Sequence, residues 1–265
     1  EVRQIINSDA EVVNKLGSNA MGNYLYVYKG VYATDEDVPV NPLTGERLRM
    51  GGNTSTQAYF KAGDPIWVDV NGDYIIDEKD KVIVGNSQPR MTGGISINLR
   101  YKAFSINTNC SFTLRRDIIN KALADRFRAY GTPVAGKVNL TGSGALTPIE
   151  AYNFWTEDNI YAQYPNPFDY TRSSIIQPFR YDQTLFMEDG SYFKINGISV
   201  AYTIPKKMLD FFRISRCQLN FSMNNIYTFS KYSGINPENV NNLGYDTSGG
   251  YPNGRTVTFG VSMDF

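Results

Sequence analysis

The sequence predicts an all-β fold, an antiparallel transmembrane β-barrel of which this chain holds only part. Three observations carry that prediction. Apolar residues alternate with small or polar ones, with period two, through five segments. The connections between those segments are short and long in turn, the asymmetry of an outer-membrane barrel with tight turns on one side and long loops on the other. Tyr (19), Phe (15) and Gly (23) are abundant beside many Asn, Thr and Ser, so strand and turn formers dominate.

The composition also excludes several classes. No run of 18 or more apolar residues exists, which removes a helical membrane protein but not a barrel. The 26 basic and 26 acidic residues cancel and no basic run occurs, so no nucleic-acid partner is expected. Histidine is absent, which removes Ser-His-Asp and Cys-His catalysis and the usual His-containing zinc sites. Two cysteines are too few for a disulfide scaffold, and no signal peptide opens the chain.

Taken in chain order, weaker strand signals at 24–33 and 58–68 precede the first clear one. In 91–101, Ile95, Ile97, Leu99 and Tyr101 share one face, and Ser96, Asn98 and Arg100 the other. After Lys102 and Ala103 the apolar set becomes Phe104, Ile106, Cys110, Phe112 and Leu114. A two-residue turn pairing Tyr101 with Phe104 keeps both apolar faces on one side. Asp117 to Arg128 places Ile118, Ala122, Leu123 and Phe127 at helical spacing, predicting one short helix in an outer loop. In 191–204 the parity slips at Asn196-Gly197, predicting a bulge between Phe193/Ile195 and Ile198/Val200/Tyr202. Pro205 ends that strand, and a short connection leads to 215–229, where Cys217, Leu219, Phe221, Met223, Tyr227 and Phe229 face one way. The final segment sets Val257, Phe259, Val261, Met263 and Phe265 against Thr256, Thr258, Gly260, Ser262 and Asp264.

Long Gly/Asn/Pro/Tyr-rich stretches at 33–58, 129–178 and 230–254 read as loops. With the C-terminus periplasmic, the strand from 255 runs inward and both short turns fall on the periplasmic side. The chain thus divides into an extracellular loop at 64–90, a hairpin at 91–114, a long extracellular loop at 115–190, a strand pair at 191–229 and a terminal strand at 255–265. Five strong strands and two weaker ones do not close a barrel, which needs at least about eight. Open sheet edges do not occur in lipid, so the remaining strands are expected upstream in the same gene product.

One stretch has ligand spacing. Asp69, Asn71, Asp73, the Ile75 carbonyl, Asp77 and Asp80 offer oxygens at positions 1, 3, 5, 7, 9 and 12 of a calcium-type loop, nearest the dockerin pattern. Position 6, normally Gly, is Tyr74. Bound Ca2+ and a metal-free loop of Asx turns are both open readings. Cys110 and Cys217 read as small hydrophobes on non-neighbouring strands. Tyr101, Phe104, Phe193, Tyr227, Phe229 and Phe265 lie near strand ends, as membrane girdles or as a sandwich core. Glu150, Glu157, Asp158, Asp169 and Asp182 form no glycosidase-like pair, so no enzyme is predicted. Tyr152, Trp155, Tyr161, Tyr164 and Tyr170 could stack on a sugar or pack against a lid protein, and no substrate residue is assigned.

Three stretches resemble the C-terminal region of the SusC/RagA family of TonB-dependent transporters. They are Gly63-Asp64 with Asp69-Val70-Asn71-Gly72-Asp73, Ile76-Asp77 and Val84-Gly85-Asn86-Ser87-Gln88-Pro89; Asp189-Gly190-Ser191-Tyr192-Phe193-Lys194-Ile195 through Ala201-Tyr202-Thr203-Ile204-Pro205; and Asn224 to Gly234 with Pro237-Glu238, Gly250-Tyr251-Pro252, Arg255 and Phe265. The resemblance covers roughly residues 20–265. It implies the C-terminal strands of a barrel of about 22 strands around an N-terminal plug, in the outer membrane of a Gram-negative bacterium. It further implies import of oligosaccharides or peptides driven by TonB, a SusD-like surface lipoprotein as lid, and a dimer of transporter–lid pairs. The plug, the TonB box and most of the barrel lie outside these residues. A different class, a calcium-stabilised β-rich adhesion or dockerin-type surface module, would fold in buffer, whereas a barrel fragment would need detergent.

Overall fold

Period-two alternation yields five long strands. The computed structural model describes residues 22–51, 58–130, 133–134, 137–138, 151–172, 175–210, 214–246 and 253–264. Two compact units emerge, each considered separately. One is built from Glu1–Gln88, Asp117–Glu188 and Asn239–Gly249, the other from Pro89–Arg116, Asp189–Glu238 and Gly250–Phe265.

The second unit is one antiparallel sheet. Its strands are β1 (Met91–Tyr101), β2 (Phe104–Leu114), β3 (Tyr192–Thr203), β4 (Arg216–Ser230) and β5 (Thr256–Asp264), ordered β5-β4-β3-β2-β1. Strands of 9 to 15 residues suit a bilayer crossing, which takes about 9–11 residues when tilted. Tyr101 pairs with Phe104 across a two-residue turn, with Lys102 in the left-handed region at φ 52°. The expected slip in β3 is a bulge: the register shifts between Ile195 and Gly197 against both neighbours, and Asn225 on β4 takes φ 54° opposite it. The bulge restores Ile198, Val200 and Tyr202 to the face of Phe193 and Ile195, opposite Thr108, Ile106 and Phe104 of β2. Cys110 and Cys217, both free, lie on that face and pair with Ile95 and Met263.

Side-chain type separates cleanly across this sheet. Sixteen large apolar side chains of the five strands are exposed on one face, including Leu99, Tyr101, Val261 and Phe259, the last 79% exposed. No soluble monomer normally presents such a surface to water. Aromatics gather at its two ends. Phe104 and Tyr202 lie 4.6 Å apart between centroids near the short turn, and Tyr227 lies 4.6 Å from Phe229 at the opposite end, where Phe193 joins at 6.3 Å. Eight residues of unbulged β2 separate the two levels, roughly 27 Å along the strand. With a tilt of about 40° that is about 20 Å of height, close to an outer-membrane apolar band of roughly 25 Å. The sandwich-core alternative fails here, because among the described residues of the unit no second layer covers this face. Phe265 lies outside the described residues.

Short connections, 102–103 and 204–215, join strands at one end of the sheet, and β5 finishes there too. At the other end the connections run over 115–191 and 231–255.

The first unit corrects three expectations. The weak signals at 24–33 and 58–68 are strands of two to four residues in small separate sheets, not further barrel strands. Asn23–Tyr26 pairs with Lys81–Val84, Tyr28–Val31 with Pro65–Trp67, and Arg49–Met50 with Ala58–Tyr59 and Ile75–Ile76. Tyr24, Leu25 and Tyr26 are buried consecutively, so no face alternates there. Next, the helix is α1, Lys121–Tyr130, shorter than expected at its start. Asp117–Ile119 is extended: Ile119 N–H donates to Gly244 O at 2.8 Å, and its carbonyl accepts from Asp246 at 3.0 Å. Asn120 then caps the helix by accepting the Leu123 N–H at 3.0 Å.

The last correction concerns the long loops, which fold around two apolar cores. One packs Phe127 against Tyr152 (4.8 Å), Phe154 (4.9 Å), Tyr164 (5.1 Å) and Phe179 (5.4 Å). The other holds Tyr26, Tyr32, Phe60, Trp67 and Ile76. Tyr152 and Tyr164 are therefore committed to packing, and Trp155 is buried with its indole N–H on Ala33 O at 3.2 Å. Tyr161 stands free in solvent, and the Tyr170 side chain lies outside the described residues.

Candidate functional site

The polar face of the five-stranded sheet is the candidate site. Alternation brings Ser96 and Asn98 of β1 beside Asn107, Asn109 and Ser111 of β2. The Ser96 hydroxyl donates to Asn109 Oδ1 at 2.8 Å, the Asn109 amide to Asn107 Oδ1 at 3.1 Å, and the Asn107 amide to Asn98. Further along, Ser111 donates to Asn196, the bulged residue, at 3.2 Å. Two concavities of about 440 and 570 Å3 are lined by residues of this face, so the polar side is the hollow side. The first carries Asn98, Asn107, Ser199, Asn220 and Ser222, and the second the cations Arg100, Lys102, Lys206 and Arg216. Neutral amides and hydroxyls donate and accept equally, so the hollow around Asn98, Asn107 and Asn220 suits polar solutes without strong selection by charge. Period two marks these residues as one face in the sequence, but the cross-strand ladder needs the register, which the sequence does not reveal.

In the Asp69–Asp80 loop the oxygens are engaged locally. Asp69 accepts from Gly72 N–H at 2.7 Å and Tyr74 N–H at 2.8 Å, Asn71 from Asp73 at 3.0 Å, Asp73 from Ile75 at 2.9 Å and Asp77 from Lys79 at 2.8 Å. Asp80 is fully buried and accepts from Val70 and Asp77 N–H, both at 2.8 Å. Burial pushes its carboxyl up, opposed by those N–H groups and reinforced by Asp69. Tyr74, at position 6, takes φ 62°, the left-handed turn that calcium loops give to Gly. The backbone thus has the shape of such a loop. Among the described residues, however, no three acidic, His or Cys side chains converge on one point that could hold a metal.

The remaining carboxylates sit apart. Glu157 and Asp158 are exposed, Asp169 pairs with Lys61, and Glu150 lies outside the described residues. Asp182 lies in a buried network: Arg180 reaches it through two hydrogen bonds of 2.5 and 2.7 Å, and Lys81 at 2.8 Å. Burial alone would raise its carboxyl, but Arg180 and Lys81 outweigh that and hold it below the usual range. The Arg180 guanidinium stacks 4.6 Å from the Tyr26 ring centroid. Asp169 and Asp182 are thus tied to cations within the first unit.

A sheet with an apolar outer face, a polar hollow face, aromatic belts and one-sided tight turns is the wall of a transmembrane β-barrel. The relatives agree. The chain is 28% identical over 257 residues to TonB-dependent receptor P3 of Formosa agariphila, covering 91% of this chain and 22% of that protein. To TonB-dependent receptor SusC of Bacteroides thetaiotaomicron it is 23% identical over 270 residues, 94% of this chain and 24% of that one. Among solved structures, that of the RagAB peptide transporter matches with a TM-score of 0.67 at 18% identity, covering 99% of this chain and 25% of the other. No protein-family model matches. The resemblance to SusC/RagA-type TonB-dependent transporters is thus shown over nearly the whole chain, which spans about a quarter of the length of these relatives.

Proposed function

We propose that this chain forms part of the channel wall of an outer-membrane, TonB-dependent importer of oligosaccharides or peptides, working with a SusD-like surface lipoprotein. The observation that carries the reading is the five-stranded sheet, apolar outside and polar within. The names of the relatives, two TonB-dependent receptors and a peptide transporter, support it. The segment then performs no chemistry; it supplies a polar passage and a lipid-facing exterior. The short turns and the end of β5 face the periplasm in this reading, and the long connections face outward.

The test is a pair of arginines in the full-length transporter. Val261 and Ser262 are adjacent on β5 and point to opposite faces. Val261→Arg should cost about 2–4 kcal/mol of barrel stability near mid-membrane and lower the inserted fraction, whereas Ser262→Arg should leave insertion intact. Equal insertion of the two would overturn the reading.

The calcium-type loop enters as an ordering element of the first unit. Asp69, Asn71, Asp73, Asp77, Asp80 and the Ile75 carbonyl would hold Ca2+ at about 2.3–2.6 Å. Calcium titration followed by Tyr74 fluorescence and calorimetry should show saturable binding that Asp69→Ala removes, and a flat titration would leave a loop of Asx turns.

A further inference from the structure

At the long-connection end of the sheet, two cations are held by one short stretch of irregular chain. Lys194 of β3 alternates with Phe193 and Ile195, so it points to the polar face, with Ser111 and Thr228 as its register partners. Arg116 lies just beyond the end of β2. The stretch is 231–238, which follows β4 and is neither helix nor strand. Lys194 donates to Glu238 Oε2 at 2.5 Å, and its side chain is only 10% exposed. Arg116 donates to the carbonyl of Pro237, the residue before. Asn236 shapes the same turn by accepting the Glu238 N–H at 2.9 Å.

The pairing is incomplete. Arg116 Nε is buried, and among the described residues it has no acceptor. Burial lowers the guanidinium below its usual range, more than Tyr192 and Glu238 raise it. A planar guanidinium suits a carboxylate through two parallel hydrogen bonds, yet this one is given a neutral carbonyl. Resting on the barrel reading above, in which this end faces outward, we infer that Lys194 and Arg116 form a binding site for a carboxylate of the transported solute, and that Glu238 fills the site until such a solute displaces it. Partly buried cations left without an anion are costly, so the unloaded site needs a carboxylate of its own. Glu238 suits that role, because it sits outside every strand and can leave without unpairing any of the five. An arriving carboxylate that reached both cations would add the Arg116 bonds that Glu238 does not make. Acidic peptide residues and acidic sugars carry that group alike.

The experiment measures binding by calorimetry to the full-length transporter in detergent. The probes are triglutamate and tri-galacturonate, with triglutamine and galactotriose as their uncharged counterparts. At least one acidic probe should bind, its uncharged counterpart at least tenfold more weakly, and the acid that binds identifies the source of the carboxylate. Glu238→Gln should raise that affinity at least tenfold, because the competing charge is gone while Lys194 and Arg116 remain. Lys194→Gln should lower it at least tenfold, and Lys194→Arg should restore it. Glu238 lies outside the strands, so its variant tests the displacement even where a change at Lys194 blocks insertion. Unchanged or weaker binding in Glu238→Gln would reduce Glu238 to a fastening of the connection and overturn the inference. Equal binding of charged and uncharged probes, or no binding of either acid, would overturn it too. Failure of the barrel reading shows separately, in the Val261 and Ser262 pair.

Discussion

Asp80 orders the calcium-type loop through two backbone contacts at once. Its carboxylate is buried and satisfies the Val70 and Asp77 N–H groups, so truncation leaves two part-buried donors without their partner. Part-buried donors fall in the lower half of the roughly 1–3 kcal/mol per orphaned group, so Asp80→Ala should destabilise the first unit by about 2–4 kcal/mol. Asp80→Asn keeps one acceptor oxygen and should lose about half as much, with hydrogen exchange at Val70 and Asp77 reporting the difference. Asp182 predicts a pH dependence of definite sign. Its folded pKa lies below the unfolded value of about 3.9, so its stabilisation is complete above that pH and is lost as pH falls through the folded value. The urea midpoint of the first unit should therefore decline below about pH 4, and Asp182→Asn should flatten that decline. An unchanged slope in the variant would assign the acid sensitivity to other groups. Burial drives Asp64 the opposite way, raising it despite Arg172, so its contribution is lost as pH rises and does not mimic Asp182.

The bulge in β3 decides which way three apolar side chains point. Asn196 is the extra residue, and if the strand alternated regularly through it Ile198, Val200 and Tyr202 would turn to the polar face. Deleting Asn196 leaves Phe193, Ile195, Ile198, Val200 and Tyr202 in plain alternation, so the full-length barrel should still insert, whereas inserting one Ser after Ile198, which turns Val200 and Tyr202 to the polar face, should abolish insertion; both are read by surface proteolysis. Gly197 is constrained as well, since a Cβ there would meet the Asn224 side chain at 2.9 Å. Both features were legible in the sequence, because a parity slip beside a Gly has few causes in a strand. The tight turn at Lys102 was legible for the same reason, although Lys is not its preferred residue. The first unit was not. Its strands are only two to four residues long, Tyr24, Leu25 and Tyr26 are buried in succession and carry no period, and its cores join aromatics from segments over a hundred residues apart. Of the aromatics read as possible sugar platforms, Tyr152 and Tyr164 line that core, Trp155 is buried and Tyr161 is exposed, since composition cannot distinguish a stacking ring from a packed one.

At the scale of the whole chain, the two units differ in the solvent each requires. The first buries two apolar cores of its own, around Phe127 and around Trp67, and needs only water outside. The second shows sixteen large apolar side chains on one sheet face and gains little by folding in water, because no partner layer removes them from it. Both tryptophans, Trp67 and Trp155, belong to the first unit, so indole fluorescence follows that unit alone. Circular dichroism of the β signal is dominated by the second unit, whose strands are the long ones. In this chain folded into detergent micelles, the two probes should separate on urea titration. Fluorescence should report an early, cooperative loss of the first unit, with a midpoint that Asp80→Ala lowers. The β signal should persist to higher urea, because the micelle shields the apolar face and backbone bonds in an apolar medium resist denaturant. Removing detergent should reverse the order, aggregating the sheet while the first unit still shows a fluorescence transition. Coincident transitions in both conditions would mean that the two units fold as one, and the assignment of separate solvents to them would fall.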